Sequence, residues 1–201
     1  MNLFVVENTI EENVRSYFDT HVVKMPTEHY QMISFNVRKH FGGGSHLLMK
    51  GEKLIVEDGS VIIDPSTQVC ARFSKAYYNH PCTVWARQCL ENSQYIVELT
   101  FALEREWRHR YGHAESKRHL SVQRLEQLVN SDVYKEWEAT LPSFGYMTTH
   151  AKAVPERWKS LDAVQAYRHT YVNEKAHLCK YSKRTPPKWF YINVNKEMEN
   201  V

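Results

Sequence analysis

The chain reads as mainly α: a compact helical domain with a small β-hairpin excursion near residues 52–64. Three observations predict this. Trp85, Cys89, Asn92, Ile96, Leu99, Leu103 and Trp107 recur at three- and four-residue steps, the repeat of one helix face. Proline and glycine punctuate such stretches at Pro26, Gly42-Gly43-Gly44, Pro81 and Gly112. Alternating β-branched runs occur only around Glu57-Asp58-Gly59. With 201 residues, 42% of them hydrophobic, the length suits one domain spanning 1–201.

In order along the chain, the apolar run Leu3 to Val6 reads as a short packed strand. Thr9-Ile10-Glu11-Glu12 reads as a capping box that starts a helix running toward Phe41. Pro26 lacks a backbone donor and crowds the preceding turn, so a kink or break is expected there. The three glycines at 42–44 end the element, because glycine enters positive φ without a steric penalty. Lys53-Leu54-Ile55-Val56 and Ser60-Val61-Ile62-Ile63 flank an Asp-Gly, a hairpin signal. Pro81 suits a first helical position with Asn79 or His80 as cap, and the periodic run predicts one long core helix from there to Gly112. Leu125, Leu128, Tyr134 and Trp137 give the block Leu120 to Trp137 a helical repeat. A loop from Pro142 to Pro155 precedes a last helix over roughly Asp162 to Tyr181.

Composition narrows the function classes. The 26 Lys+Arg against 23 Asp+Glu leave a net charge of only +3, yet 11 His, 12 Tyr, 8 Phe and 5 Trp allow a surface that is locally basic and able to stack on bases. Cys70, Cys82, Cys89 and Cys179 have no C-x-x-C spacing, which argues against a zinc cluster or disulfide framework and fits reduced thiols in a cytosolic protein. A leader or membrane segment is not expected, for want of a long apolar run. Walker and Rossmann glycine patterns are missing, so nucleotide hydrolysis and dinucleotide redox chemistry have no support.

The candidate chemistry centres on the helix after Asp19. At about 100° per residue, His21, Lys24, Glu28 and Gln31 share one face, opposite Val22, Val23, Met25 and Ile33. A base, a cation, a carboxylate and an amide in a row suit proton transfer beside an anionic substrate, although Lys24 and Glu28 could be an ordinary solvated i,i+4 pair. Arg38, Lys39 and His40 before the glycines could meet a phosphate. Asn79-His80-Pro81 is a cap and also a helix start able to face an anion, with Arg87 on the same segment. Asn92 marks either a structural hydrogen bond or a pocket wall. His109 and His113 stand at i,i+4 with Gly112 between them, so no metal site is expected. Trp189 and Phe190 read as packing before base stacking.

Two resemblances follow from these residues. Asp19-x-His21, Glu28, Val37-Arg38-Lys39-His40 and Pro187-Lys188-Trp189-Phe190 resemble the phage pyrimidine-dimer DNA glycosylases of the endonuclease V type. That likeness implies a compact helical fold that flips a nucleotide out of the duplex, with Glu28 as the catalytic glutamate. That family's nucleophile is an amine exposed by removal of Met1. Asn2 is a poor substrate for that removal, which argues against a Schiff-base role. Met1 to Val5, Asp19 to Met25, Asn79 to Arg87, Arg110-Tyr111-Gly112 and Trp189-Phe190 together resemble the phage amino acid:DNA transferase family of thymidine hypermodification.

The second resemblance implies transfer of an amino acid, glycine in first place, onto phosphorylated 5-hydroxymethyluracil in double-stranded DNA, in the cytoplasm of the infected host cell and without a metal or organic cofactor. It assigns Glu28 as base or amine-positioning carboxylate, with His21 and Asp19 as its support. Lys24 and Arg87 would meet the phosphate or the amino-acid carboxylate. Asn79, His80 and Gln31 would hold the flipped base, and Arg38, Lys39, Lys117 and Arg118 the DNA backbone. A glycosylase with lyase activity and a non-catalytic DNA-binding protein are the alternatives.

Overall fold

The structure, a computed structural model, describes residues 2–41, 47–50, 53–56, 61–62, 70–71 and 74–191. It is mainly helical. Thr9 caps α1 (Ile10–Ser16) as its spacing predicts: the hydroxyl accepts from the Glu12 N–H at 3.2 Å and donates to the Glu12 carboxylate at 2.9 Å. The helix then stops earlier than the sequence suggests. Tyr17 turns extended at ψ 141°, Phe18 follows at ψ 160°, and both rings are fully buried. Burying two aromatics side by side turns the chain where no proline or glycine marks a stop.

α2 (Asp19–His40) runs through Pro26 as one helix, without the break that is one of the two expected outcomes there. Interior proline costs about 3 kcal/mol. Val22, Met25, Met32, Ile33 and Val37 are at most 1% exposed along this helix. Each contributes about 1.5–3 kcal/mol by burial, so together they outweigh the lost hydrogen bond.

The excursion contains three short strands, β1 (Leu47–Lys50), β2 (Lys53–Val56) and β3 (Val61–Ile62), with β1 antiparallel to β2 and Ile55 of β2 opposite Val61 of β3. Both Gly42-Gly43-Gly44 and the expected hairpin turn at Glu57-Asp58-Gly59 lie outside the described residues.

The predicted long helix after Pro81 is two helices, preceded by α3 (Lys75–Tyr78). His80 caps α4 (Pro81–Ala86), while Asn79 closes α3. α5 (Leu90–Tyr111) starts after a break at 87–89, where Leu90 N donates to Pro142 O at 2.9 Å. Asn92 secures the break: its amide donates to Trp85 O at 2.8 Å and Thr148 Oγ1 at 2.7 Å, and its oxygen accepts from Thr148 N. Of the two readings of Asn92, the structural hydrogen bond is the one found. Gly112, at φ +65°, ends α5 where expected.

The block from Leu120 is also divided, into α6 (Leu120–Val129) and α7 (Asp132–Glu138), with Ser131 capping the second. α8 (Ala163–Glu174) begins after the Asp162 cap and gives way to a 3-10 turn at Ala176–Leu178, short of Tyr181. α2 packs on α5, α4 and α6, α1 packs on α5, and the core gathers where these meet Leu3–Val6 and α8. Residues 3–6 are buried but form no strand. All four cysteines are free thiols. Among the described residues, no helix is long and apolar enough to cross a membrane.

Candidate functional site

Glu28 lies near the middle of α2, with its side chain 9% exposed. Lys24 Nζ, one turn earlier, is 2.8 Å from one carboxylate oxygen. The other oxygen accepts the backbone N–H of Asn2 at 2.6 Å. That second contact arises because Asn2 is pinned on every side. Its Oδ1 accepts from Leu3 N at 2.9 Å and from the Tyr167 hydroxyl at 3.0 Å, and its Nδ2 donates to Ala153 O at 3.1 Å. Buried Leu3–Val6 anchors the following residues. A nearly buried carboxylate is thus held between a cation and a fixed amide.

His80 caps α4. Its Nδ1 accepts from Cys82 N at 3.2 Å, so the neutral ring carries its proton on Nε2 as a donor. Burial pushes the imidazole below its ordinary value, against a smaller pull from the Glu28 carboxylate. Asn79 is exposed beside it, and Gln31 is half-buried one turn past Glu28 on the same α2 face. Arg87 ties α3 to α2: its Nη1 donates to Tyr78 O at 2.8 Å and Asn36 Oδ1 at 3.1 Å, and the guanidinium lies 4.0 Å from the Tyr78 ring centre. That makes Arg87 a positioning residue.

Two residues assigned to support Glu28 are engaged elsewhere. His21 Nδ1 is 2.7 Å from the Tyr171 hydroxyl, and its ring packs 3.8 Å from Phe18 and 4.2 Å from Phe4, centre to centre. Burial, with Lys175 and Lys24 adding to it, lowers its pKa to about 2, so His21 is a neutral histidine of the aromatic core. Asp19 accepts from Arg110 Nη1 at 2.9 Å and from the Ser182 N–H and hydroxyl at 3.0 and 2.7 Å. Burial raises this carboxyl, but the Ser182 and Arg110 hydrogen bonds together outweigh it and hold it below the usual range. Asp19 therefore ties α2 to α5 and the C-terminal segment.

The four basic candidates also divide. Arg38 is fully buried and its Nη1 donates to Ala71 O at 3.2 Å, so it serves the interior. Arg118 binds Glu104 at 2.9 Å and Glu126 at 3.0 Å. Lys117 is exposed, and half-buried Lys39 sits 5.9 Å from the Tyr78 ring centre. Trp189 donates to Glu7 at 2.6 Å and lies under Arg168, which is packing. Among the described residues, no group of three or more His, Cys, Asp or Glu is placed to hold a metal.

Sequence reasoning missed Asn2, Tyr167 and Cys82. The one signal was a polar residue directly ahead of the apolar run at 3–6. Cys82 reaches toward Asn2 Oδ1 at 3.7 Å, and burial raises its thiol to about 11, so it stays protonated and is no nucleophile at neutral pH. Together, Glu28, Lys24 and His80 supply a carboxylate that can accept a proton, a cation that can hold an anion and an N–H that can donate a hydrogen bond. Comparison with family models, curated proteins and solved structures returns no match.

Proposed function

We propose that the protein transfers an amino acid, glycine in first place, onto a 5-phosphomethyluracil base in double-stranded DNA, as a step of thymidine hypermodification in the cytoplasm of an infected host cell. One observation carries the reading: the Glu28 carboxylate is fixed by Lys24 and the Asn2 N–H beside a neutral His80. A solvated helix face would not fix a carboxylate from two directions.

In this scheme the ammonium of the incoming amino acid gives a proton to Glu28. The freed nitrogen pair forms the new bond to the exocyclic methylene, the C–O bond to phosphate breaks, and phosphate leaves with the electrons of the C–O bond. Lys24 offers its remaining donors to the phosphate or the amino-acid carboxylate, and His80 Nε2–H donates to an oxygen of the base or the leaving group. Asn79 and Gln31 border the flipped base. Electrons balance without a redox partner. Incubating the protein with phosphomethyluracil duplex and a pool of amino acids, then digesting to nucleosides for mass spectrometry, tests the proposal. An aminoacyl adduct with matching phosphate release supports it, and unchanged nucleosides contradict it.

A second reading draws on the Asn2 contact. Were Met1 removed, the nitrogen 2.6 Å from Glu28 would be a primary amine, the pairing implied by the glycosylase resemblance. A borohydride-trapped adduct on dimer-containing DNA would select that chemistry.

A further inference from the structure

We propose that a concavity between α1, α5 and the C-terminal segment is a phosphate-binding site that takes a backbone phosphate of the DNA duplex. This rests on the DNA reading above and adds a contact surface that the sequence did not reveal. Arg15 of α1, Arg105 and His109 of α5, and Arg184 line a cavity of about 200 Å³, together with Glu11 and Glu106.

One of the two acids in its wall, Glu106, is already neutralised. Glu106 accepts from Arg110 Nε at 2.7 Å, and Arg184 forks onto it at 3.0 and 2.8 Å. Arg15 and Arg105 differ from these. Both are exposed, and neither guanidinium has an ion pair or hydrogen bond among the described residues. Glu11, one turn before Arg15, forms no ion pair with it.

Two unpartnered guanidiniums facing one concavity repel each other, and the concave wall focuses their field on the space between. An anion relieves that repulsion. Guanidinium forks match phosphate oxygens in a bidentate manner, and a phosphate group fits the volume. The placement suits a duplex that also reaches Glu28. The Arg110–Asp19 pair joins this end of α5 to the start of α2. Glu28 lies nine residues along α2, about 14 Å at 1.5 Å per residue. The Asp19 end of α2 and Glu28 are thus closer than one helical turn of DNA, about 34 Å.

Arg15→Gln, Arg105→Gln and the double variant remove charge without disturbing any internal partner, so folding is preserved. Fluorescence anisotropy with a labelled 20-base-pair duplex across a salt series measures the slope of log affinity against log salt. Losing the one phosphate contact that both guanidiniums hold should flatten that slope by about 1 in the double variant. Arg124→Gln, an exposed arginine of α6 outside the cavity, should keep the parent slope. An unchanged slope in the double variant, with the parent binding normally, overturns the proposal. Calorimetric titration with inorganic phosphate separates the two sources of the anion. Phosphate binding that needs Arg15 and Arg105 in a parent that ignores duplex keeps the cavity as a phosphate site and overturns its DNA assignment. Binding of neither overturns both.

Discussion

Replacing Asp19 by Asn separates a structural carboxylate from a catalytic one. Asp19 accepts Arg110 Nη1 at 2.9 Å and the Ser182 N–H and hydroxyl at 3.0 and 2.7 Å, and the Arg110 side chain is wholly buried. Asparagine keeps one acceptor oxygen, and its amide then confronts the Ser182 N–H, donor against donor. A single charge-assisted hydrogen bond is worth about 1.5–3 kcal/mol, and breaking a buried pair costs about 3–5 kcal/mol. Arg110 retains Glu106 at 2.7 Å, so the cost should sit at the overlap, about 3 kcal/mol. For a chain of this size that corresponds to a loss of about 6–12 °C in Tm.

The pH dependence supplies the second half of the test. The folded carboxyl is held below its ordinary value of 3.8, so its contribution is fully present above that value and is lost as pH falls through the folded pKa. Urea denaturation of parent and Asp19→Asn should show the full gap at pH 7 and a shrinking one as pH drops below about 4. A variant of parental stability that has lost turnover would refute the reasoning and return Asp19 to the catalytic machinery.

Other substitutions extend the same logic. His21→Phe should cost about 1–3 kcal/mol by leaving the Tyr171 hydroxyl unpaired, with turnover per folded molecule intact; thermal melts and assays of the folded fraction check this. The His21 pKa of about 2 also means that no activity transition between pH 5 and 8 belongs to this ring, which a ring-proton NMR titration would verify. Arg38→Met should lower stability without changing the salt slope of DNA binding, because Arg38 is fully buried beneath the surface a duplex could touch.

The legible parts of this molecule were those set by local periodicity. Thr9, Asp162 and Gly112 end or start helices where their chemistry says, because caps and positive φ are decided within a turn or two. Lys24 and Glu28 meet because i,i+4 spacing brings them together in any helix. Packing across the molecule was not legible. His21 shares the stripe with Lys24 and Glu28, yet Phe4 and Tyr171, from distant segments, close over it. Arg38 looked basic and exposed beside three glycines, but the carbonyls of Cys70 and Ala71 draw it inward. The break at Tyr17 and Phe18 carries no breaker residue. It follows from where two rings find a core.

The contact between Asn2 and Glu28 belongs to the same class. It depends on Tyr167 and Ala153, more than a hundred and fifty residues away, which no local pattern records.

The central claim is that Glu28 takes a proton from the amine that becomes bonded to the base. Single-turnover assays of Glu28→Gln with phosphomethyluracil duplex test it most directly, with DNA affinity and melting temperature measured on the same preparation. Glutamine preserves size and its one oxygen can still accept from the Asn2 N–H, at the cost of the Lys24 pair, while the basicity is gone. General base catalysis is worth about 10²–10⁴ in rate, so product formation should fall by that factor while fold and DNA affinity persist. Product formed at near the parental rate would contradict the account and leave Lys24–Glu28 as a structural ion pair.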